Sequence, residues 1–281
     1  MKRKDKLPKY IMSRLNTPMI NYQVYVMPVS QKIMVILGLF VAGGILGEIF
    51  YGGLFRNSYG ELTKASYISN IIVFIIGGII TIKVGMPAIS EKLMKKRKNE
   101  LTLQFRSFLE TMAFSLSSGM NVPDAINGAK NDLEMEYTKD SYIVKEAQEM
   151  LNGIQNNIPI EILLKDLGER SGIIDIVNFS EVFAVGYRAG GNLKDIVRKT
   201  SEIIGDKIEI SAEIETALTS NRTQFNAMML VPVVIILMLK MFSSDFAKSF
   251  STATGVFAIT IAIGIFVGAY KLGKQIMDIK G

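Results

Sequence analysis

The sequence predicts an all-α membrane protein: four transmembrane helices, with one helical-bundle domain between the second and the third. Three observations predict it. Long apolar stretches cover roughly residues 29–50, 68–89, 225–242 and 255–270, each approaching or exceeding the ~20 residues a helix needs to cross a bilayer. Their apolar residues run continuously and do not alternate, unlike the strands of a membrane barrel. Lys and Arg gather at the ends of these stretches in one consistent sense.

Taken in order, residues 1–28 form a basic segment with Lys2, Arg3, Lys4, Lys6, Lys9 and Arg14. Spans 1 and 2 occupy residues 29–90. The first is longer than a signal-peptide core and lacks a small-residue cleavage pattern after it, so it reads as a retained span. The domain, residues 91–224, opens on Lys92, Lys95, Lys96, Arg97 and Lys98. Spans 3 and 4 occupy residues 225–272, and Lys274 and Lys280 lie in the tail, residues 273–281. The loop near residues 56–67 holds only Arg56 and Lys64 against Glu61, and the loop 243–254 holds Lys248 against Asp245. The positive-inside asymmetry puts both termini and the large domain in the cytoplasm.

Composition narrows the chemistry. The chain has no His, Cys or Trp. A Ser-His-Asp triad, a zinc thiolate site, an iron–sulfur cluster and a cysteine nucleophile are therefore excluded. No phosphate-binding GxxxxGK[ST] loop and no GxGxxG occurs; Gly273–Lys274 follows no strand and continues to Gln275. Nucleotide hydrolysis, if the process needs it, is expected from another chain. The net charge of +6 is unevenly spread, because residues 92–224 hold 17 Lys/Arg and 20 Asp/Glu. The basic excess sits at the membrane flanks, where anionic lipid attracts it, and gives no reason to expect nucleic acid.

The block between spans 2 and 3 reads as helices. Leu101, Phe105, Phe108, Leu109, Met112 and Leu116 make one stripe at spacings of three and four. Gly119 ends that helix, Asn121 caps the next, and Pro123 lies in its first turn, where a missing N–H costs nothing. A third helix covers residues 141–152, with Gly153 and the polar run 155–157 expected to break it. Pro159 begins a fourth, lined by Ile160, Leu163, Leu164 and Leu167 and closed by Gly172. A fifth runs from Asp175 to Ala189. Gly190 and Gly191 stop it, and Asn192 caps a long helix with Asp195 in capping-box position. No Gly or Pro lies between Asp206 and Val231, so this helix either continues into span 3 or bends at the junction.

Several residues invite a functional reading and a plainer one. Glu48 and Lys240 fall near the outer ends of their spans and Lys83 near an inner end, where long side chains reach the interface; mid-span charges would instead mark an ion pathway. Gly43, Gly44 and Gly47, Gly77 and Gly78, and Gly264 and Gly268 allow close helix approach, within the chain or toward a partner. Pro232 is a candidate kink in span 3. Glu110, Asp124, Glu134, Glu136, Glu169 and Glu181 read as a solvated face, with no metal-ligand spacing; no cofactor is assigned.

At this point the sequence resembles a known family. The passage FLETMAFSLSSGMNVPDAI, residues 108–126, is similar to the first helical hairpin of the type II secretion F-domain family. IEILLKDLGERSG, residues 160–172, and FSEVFAVGYRAGGNLKDIVRKTSEII, residues 179–204, resemble its second half, with the Gly-Gly stop, polar cap and long amphipathic helix. RTQFNAMMLVPVV, residues 222–234, resembles the entry into the next span, with Pro232 in place. One such F-type domain between two pairs of spans is more similar to the TadB/TadC branch of the tight-adherence (Flp, type IVc) pilus machinery.

The resemblance implies a non-enzymatic platform in the inner membrane. Its implied partners are a cytoplasmic secretion ATPase, the transmembrane helices of prepilin or pseudopilin subunits, and a second F-domain protein or further copies of itself. Arg188, at the tip before Gly190, is then either an electrostatic contact for the ATPase or a partner of the helix-end dipole. The rival expectation is a transporter or permease subunit with a cytoplasmic coupling domain, against which the scarcity of mid-span polar residues speaks. A membrane-anchored hydrolase is disfavoured by the missing His, Cys and nucleotide motifs.

Overall fold

The computed structural model describes residues 8–55 and 63–277. Two three-residue strands, β1 (Tyr10–Met12) and β2 (Pro18–Ile20), form an antiparallel hairpin. Helices follow: α1 (Val29–Tyr51), α2 (Lys64–Ser117), α3 (Val122–Tyr137), α4 (Tyr142–Gln155), α5 (Ile160–Ser171), α6 (Ile174–Arg188), α7 (Leu193–Phe242), α8 (Ser244–Phe250) and α9 (Ala253–Met277). The fold is all-α with four helices long and apolar enough to span a membrane: α1, α2, α7 and α9. Loop residues Arg56 and Glu61 lie outside the described residues.

The chain divides into two compact units. The first comprises Met1–Val26 and Ser90–Ile210. Its core is built from the stripes that face inward: Leu101, Phe105, Phe108 and Met112 of α2, Ile126 and Leu133 of α3, and Ile143 and Met150 of α4. Leu163, Leu164 and Leu167 of α5, Phe179 and Phe183 of α6, and Val197 and Ile204 of α7 complete it. Phe179 packs edge-on against Phe105, ring centroids 5.5 Å apart at 73°. Each such fully buried side chain stabilises the fold by about 1.5–3 kcal/mol relative to exposure.

Residues 8–26, ahead of α1, pack within this unit. Tyr22 is fully buried in the core and meets Tyr142 edge-on at 5.7 Å. Arg97 lies over the ring of Tyr25 at 4.4 Å and donates to the Val24 carbonyl at 3.3 Å. The end of α4 differs from the sequence expectation. Gly153 does not break it; the helix continues to Gln155, and Asn157, at φ 56°, makes the turn. Ile158 N–H returns to the Gly153 carbonyl at 2.9 Å. Gly153 is small for a packing reason, because a Cβ there would run into the Leu163 side chain.

The second unit comprises Met27–Ile89 and Ser211–Gly281. Here α1 and α2 approach closely through glycine: a Cβ on Gly43 would meet Thr81 and the Gly77 carbonyl, and one on Gly78 would meet Phe40. Gly264 and Gly268 of α9 instead face open space. Lys240 Nζ donates to the carbonyls of Gly52 and Phe50, at 3.2 and 3.4 Å, and lies 5.0 Å from the Phe250 ring centroid. Pro232 stands inside α7, which is helical on both sides of it, and lines an apolar cleft with Phe50, Ile259 and Phe266. α7 is a single helix from Leu193 to Phe242.

Candidate functional site

Two tight turns order the first unit. At Gly119 the backbone takes φ 85°. Met120 N–H bonds the Ser115 carbonyl at 3.2 Å and Gly119 N–H bonds that of Leu116 at 3.1 Å, the paired closure of a Schellman stop. The Asn121 side chain then accepts from Asp124 N–H at 2.9 Å, and Pro123 occupies the first turn of α3. At the second turn Gly190 takes φ 64°, Gly191 N–H bonds the Gly186 carbonyl at 2.8 Å, and Gly190 N–H that of Tyr187 at 3.4 Å. Gly191 is not left-handed; the special backbone sits on Gly190 alone. Asn192 accepts from Asp195 N–H at 3.4 Å and donates to its carboxylate at 2.5 Å. Arg188 is largely exposed and donates to Glu161 Oε1 at 3.3 Å.

The most concentrated polar chemistry lies elsewhere, under the N-terminal hairpin. Arg170 of α5 is 4 % exposed and donates to both oxygens of Glu146, at 2.9 and 2.6 Å, and to Asp166 at 2.7 Å. Burial opposes the guanidinium's charge, but Glu146 and then Asp166 outweigh it and hold Arg170 more firmly protonated than usual. Tyr22 OH donates to Glu146 Oε1 at 2.8 Å. Burial, followed by the adjacent Glu146 charge, pushes the Tyr22 hydroxyl well above its ordinary pKa. Beside them Glu149 accepts from the hydroxyls of Ser13, at 2.5 Å, and Thr17. Arg14 approaches Asp166 and Glu169, and Gln23 donates to the Glu169 carbonyl at 2.8 Å.

Sequence reading passed over Glu146, Glu149, Asp166 and Arg170. A signal existed: Glu146 falls three residues after Ile143 on the buried stripe of α4, and Arg170 falls three after Leu167 on that of α5. Opposite charges on two inward stripes are the mark of a buried pair. An open cavity of about 640 Å³ adjoins this cluster, lined by Tyr10, Met19, Ile20, Lys130, Lys145 and Glu149 among others. Among the described residues no group of three or more acidic side chains is placed to hold a metal ion. The six acids read as a solvated face include Glu134, which pairs with Lys139 at 3.2 Å and Lys130 at 3.8 Å.

Comparison with known proteins bears on this unit and on the part of α7 that follows it. No curated protein and no solved structure matches the chain. Residues 108–240 match the family described as Type II secretion system (T2SS), protein F. The match takes in both glycine turns and ends inside α7, two residues before the helix does. Over those residues the chain is similar to protein F of type II secretion systems, and its four long apolar helices make it a membrane protein.

Proposed function

We propose that this chain is a non-enzymatic platform of the inner membrane that couples a cytoplasmic secretion ATPase to the assembly of pilin or pseudopilin subunits. The observation that carries the reading is the F-type match over residues 108–240 in a chain with four apolar helices: α1 before the match, α2 and α7 overlapping its two ends, and α9 after it. The arrangement of one such domain between two pairs of spans favours the TadB/TadC-like branch that serves tight-adherence pili. Both termini and the helical bundle lie on the cytoplasmic side, where the ATPase works, and the platform acts as a homo- or hetero-oligomer. The absence of His and Cys from the sequence, and of any phosphate-binding loop, supports a mechanical rather than a catalytic role.

The test is co-purification from the native membrane, joined to deletion of the gene. The expected outcome is a complex holding a secretion ATPase and loss of a surface filament or of a secreted substrate. The purified chain alone hydrolyses no ATP. Turnover that survives removal of every ATPase would overturn the reading, as would solute uptake lost on deletion with filaments and secretion intact.

A further inference from the structure

Glu149 is 92 % buried and lines the cavity under the hairpin, and no cation among the described residues pairs with it. Its Oε1 takes both hydroxyl donors, Ser13 and Thr17, and its Oε2 has no hydrogen-bond partner among the described residues. The lysines lining the same cavity are engaged elsewhere. Lys145 reaches Asp140 at 2.8 Å, Lys139 reaches Glu134 at 3.2 Å, and Lys130 is shared between Gln148 at 3.2 Å and Glu134 at 3.8 Å. The other buried acid of the cavity, Glu146, is neutralised by Arg170. A buried carboxylate without a counter-charge is costly, so the position favours a cation brought from outside.

We propose that this cavity binds an alkylammonium or guanidinium group, seated on Glu149 Oε2. Its volume of about 640 Å³ lies within the range of small-molecule sites. Met19, Ile20 and Val144 provide an apolar wall for the methylene stem that such a group carries. The hydroxyls of Ser13 and Thr17 fix the carboxylate from behind, so the site exists only with the N-terminal hairpin in place. The group comes either from a basic side chain of a partner protein or from a free polyamine. The proposal does not rest on the platform reading.

The full chain in nonionic detergent is titrated by calorimetry with spermidine, and separately with a capped pentapeptide carrying one central lysine or, as control, norleucine. Saturable binding of at least one amine probe is expected, with the norleucine peptide at least tenfold weaker than the lysine peptide where the peptide binds. Peptide binding assigns the source to a partner side chain; spermidine binding alone assigns it to a polyamine. Glu149→Gln keeps an oxygen for both hydroxyls and removes the charge, and is expected to weaken binding at least tenfold with the thermal midpoint little changed. Ser13→Ala tests the same site from the hairpin side and is expected to weaken binding several-fold. Absence of binding by both amine probes, or undiminished binding by Glu149→Gln, would overturn the proposal.

Discussion

Arg170 and Glu146 meet fork to fork: Nη1 donates to Oε1 at 2.9 Å and Nη2 to Oε2 at 2.6 Å, with both side chains at least 96 % buried. The pair joins α4 to α5, and Tyr22 adds a third donor from the N-terminal segment. A buried ion pair is a weak source of net stability, but removing one member leaves a charge that water cannot reach. Arg170→Met is therefore expected to destabilise the bundle by about 3–5 kcal/mol. Glu146→Gln keeps the shape and loses the charge, and should cost less. Urea denaturation of the solubilised full chain, followed by circular dichroism, separates the two; equal, small losses would show that the pair is dispensable.

Tyr22 makes the same cluster sensitive to alkali. Its hydroxyl is held protonated in the fold, whereas in the unfolded chain it ionises near the ordinary value of 10.0. Because the folded pKa is the higher one, the stability linked to this proton is fully present below about pH 10 and is lost as pH rises above it. The thermal midpoint of the wild type should fall more steeply above pH 10 than that of Tyr22→Phe, which has no proton to lose. At pH 8, Tyr22→Phe should cost about 1–3 kcal/mol, since Glu146 loses a buried donor. Parallel pH profiles would remove Tyr22 from the account.

The contrast between turns and cluster explains what was legible in the sequence. Gly119, Asn121 and Pro123 act on backbone groups within a few positions of themselves, so adjacent letters carry the information. Tyr22 and Glu146 are 124 positions apart, and only the packed core brings them together. The strands of the hairpin span three residues each, too few for an alternating pattern to stand out. Gly153 is a related case: a glycine near a polar run looks the same whether it ends a helix or makes room for Leu163. The all-α membrane fold was legible because hydropathy and helical period are properties of whole stretches.

The two asparagine caps differ in geometry and should differ in worth. Asn121 accepts at 2.9 Å, whereas Asn192 accepts at a marginal 3.4 Å and spends its amide on the Asp195 carboxylate. Asn121→Ala is expected to cost about 1 kcal/mol. Asn192→Ala should cost roughly half as much, because the long bond to N–H contributes little. Thermal melts of both variants at matched detergent concentration check the order.

The orientation that the Lys/Arg asymmetry predicts can be read chemically. The chain is free of cysteine, so single cysteines at Asn131 and Ser249 report cleanly. An impermeant thiol reagent applied to intact cells should label the Ser249 site and spare Asn131. Labelling at Asn131 would reverse the orientation and, with it, the side on which an ATPase could act.

The Gly190–Gly191 turn separates backbone conformation from crowding. Gly190 takes φ 64°, and a Cβ built on it would meet nothing within 4 Å, so a substitution there is opposed by conformation alone. Gly191 lies outside the left-handed region, but its Cβ would come 3.3 Å from the Gly186 carbonyl, so crowding opposes it. Gly190→Val should cost about 1–2 kcal/mol, because a β-branched L-residue is poorly suited to left-handed backbone. Gly190→Asn should cost only a fraction of that, since asparagine visits this region readily, as Asn157 does in the same unit at φ 56°. The turn sets the start of α7, so on the proposed platform function Gly190→Val should also impair filament assembly, while membrane insertion is unaffected. Melting of full-length Gly190→Val, Gly190→Asn and Gly191→Ala gives the comparison. A midpoint for Gly190→Val no lower than that for Gly190→Asn would show that the turn does not need its left-handed residue, and the start of α7 would lose its fixed direction.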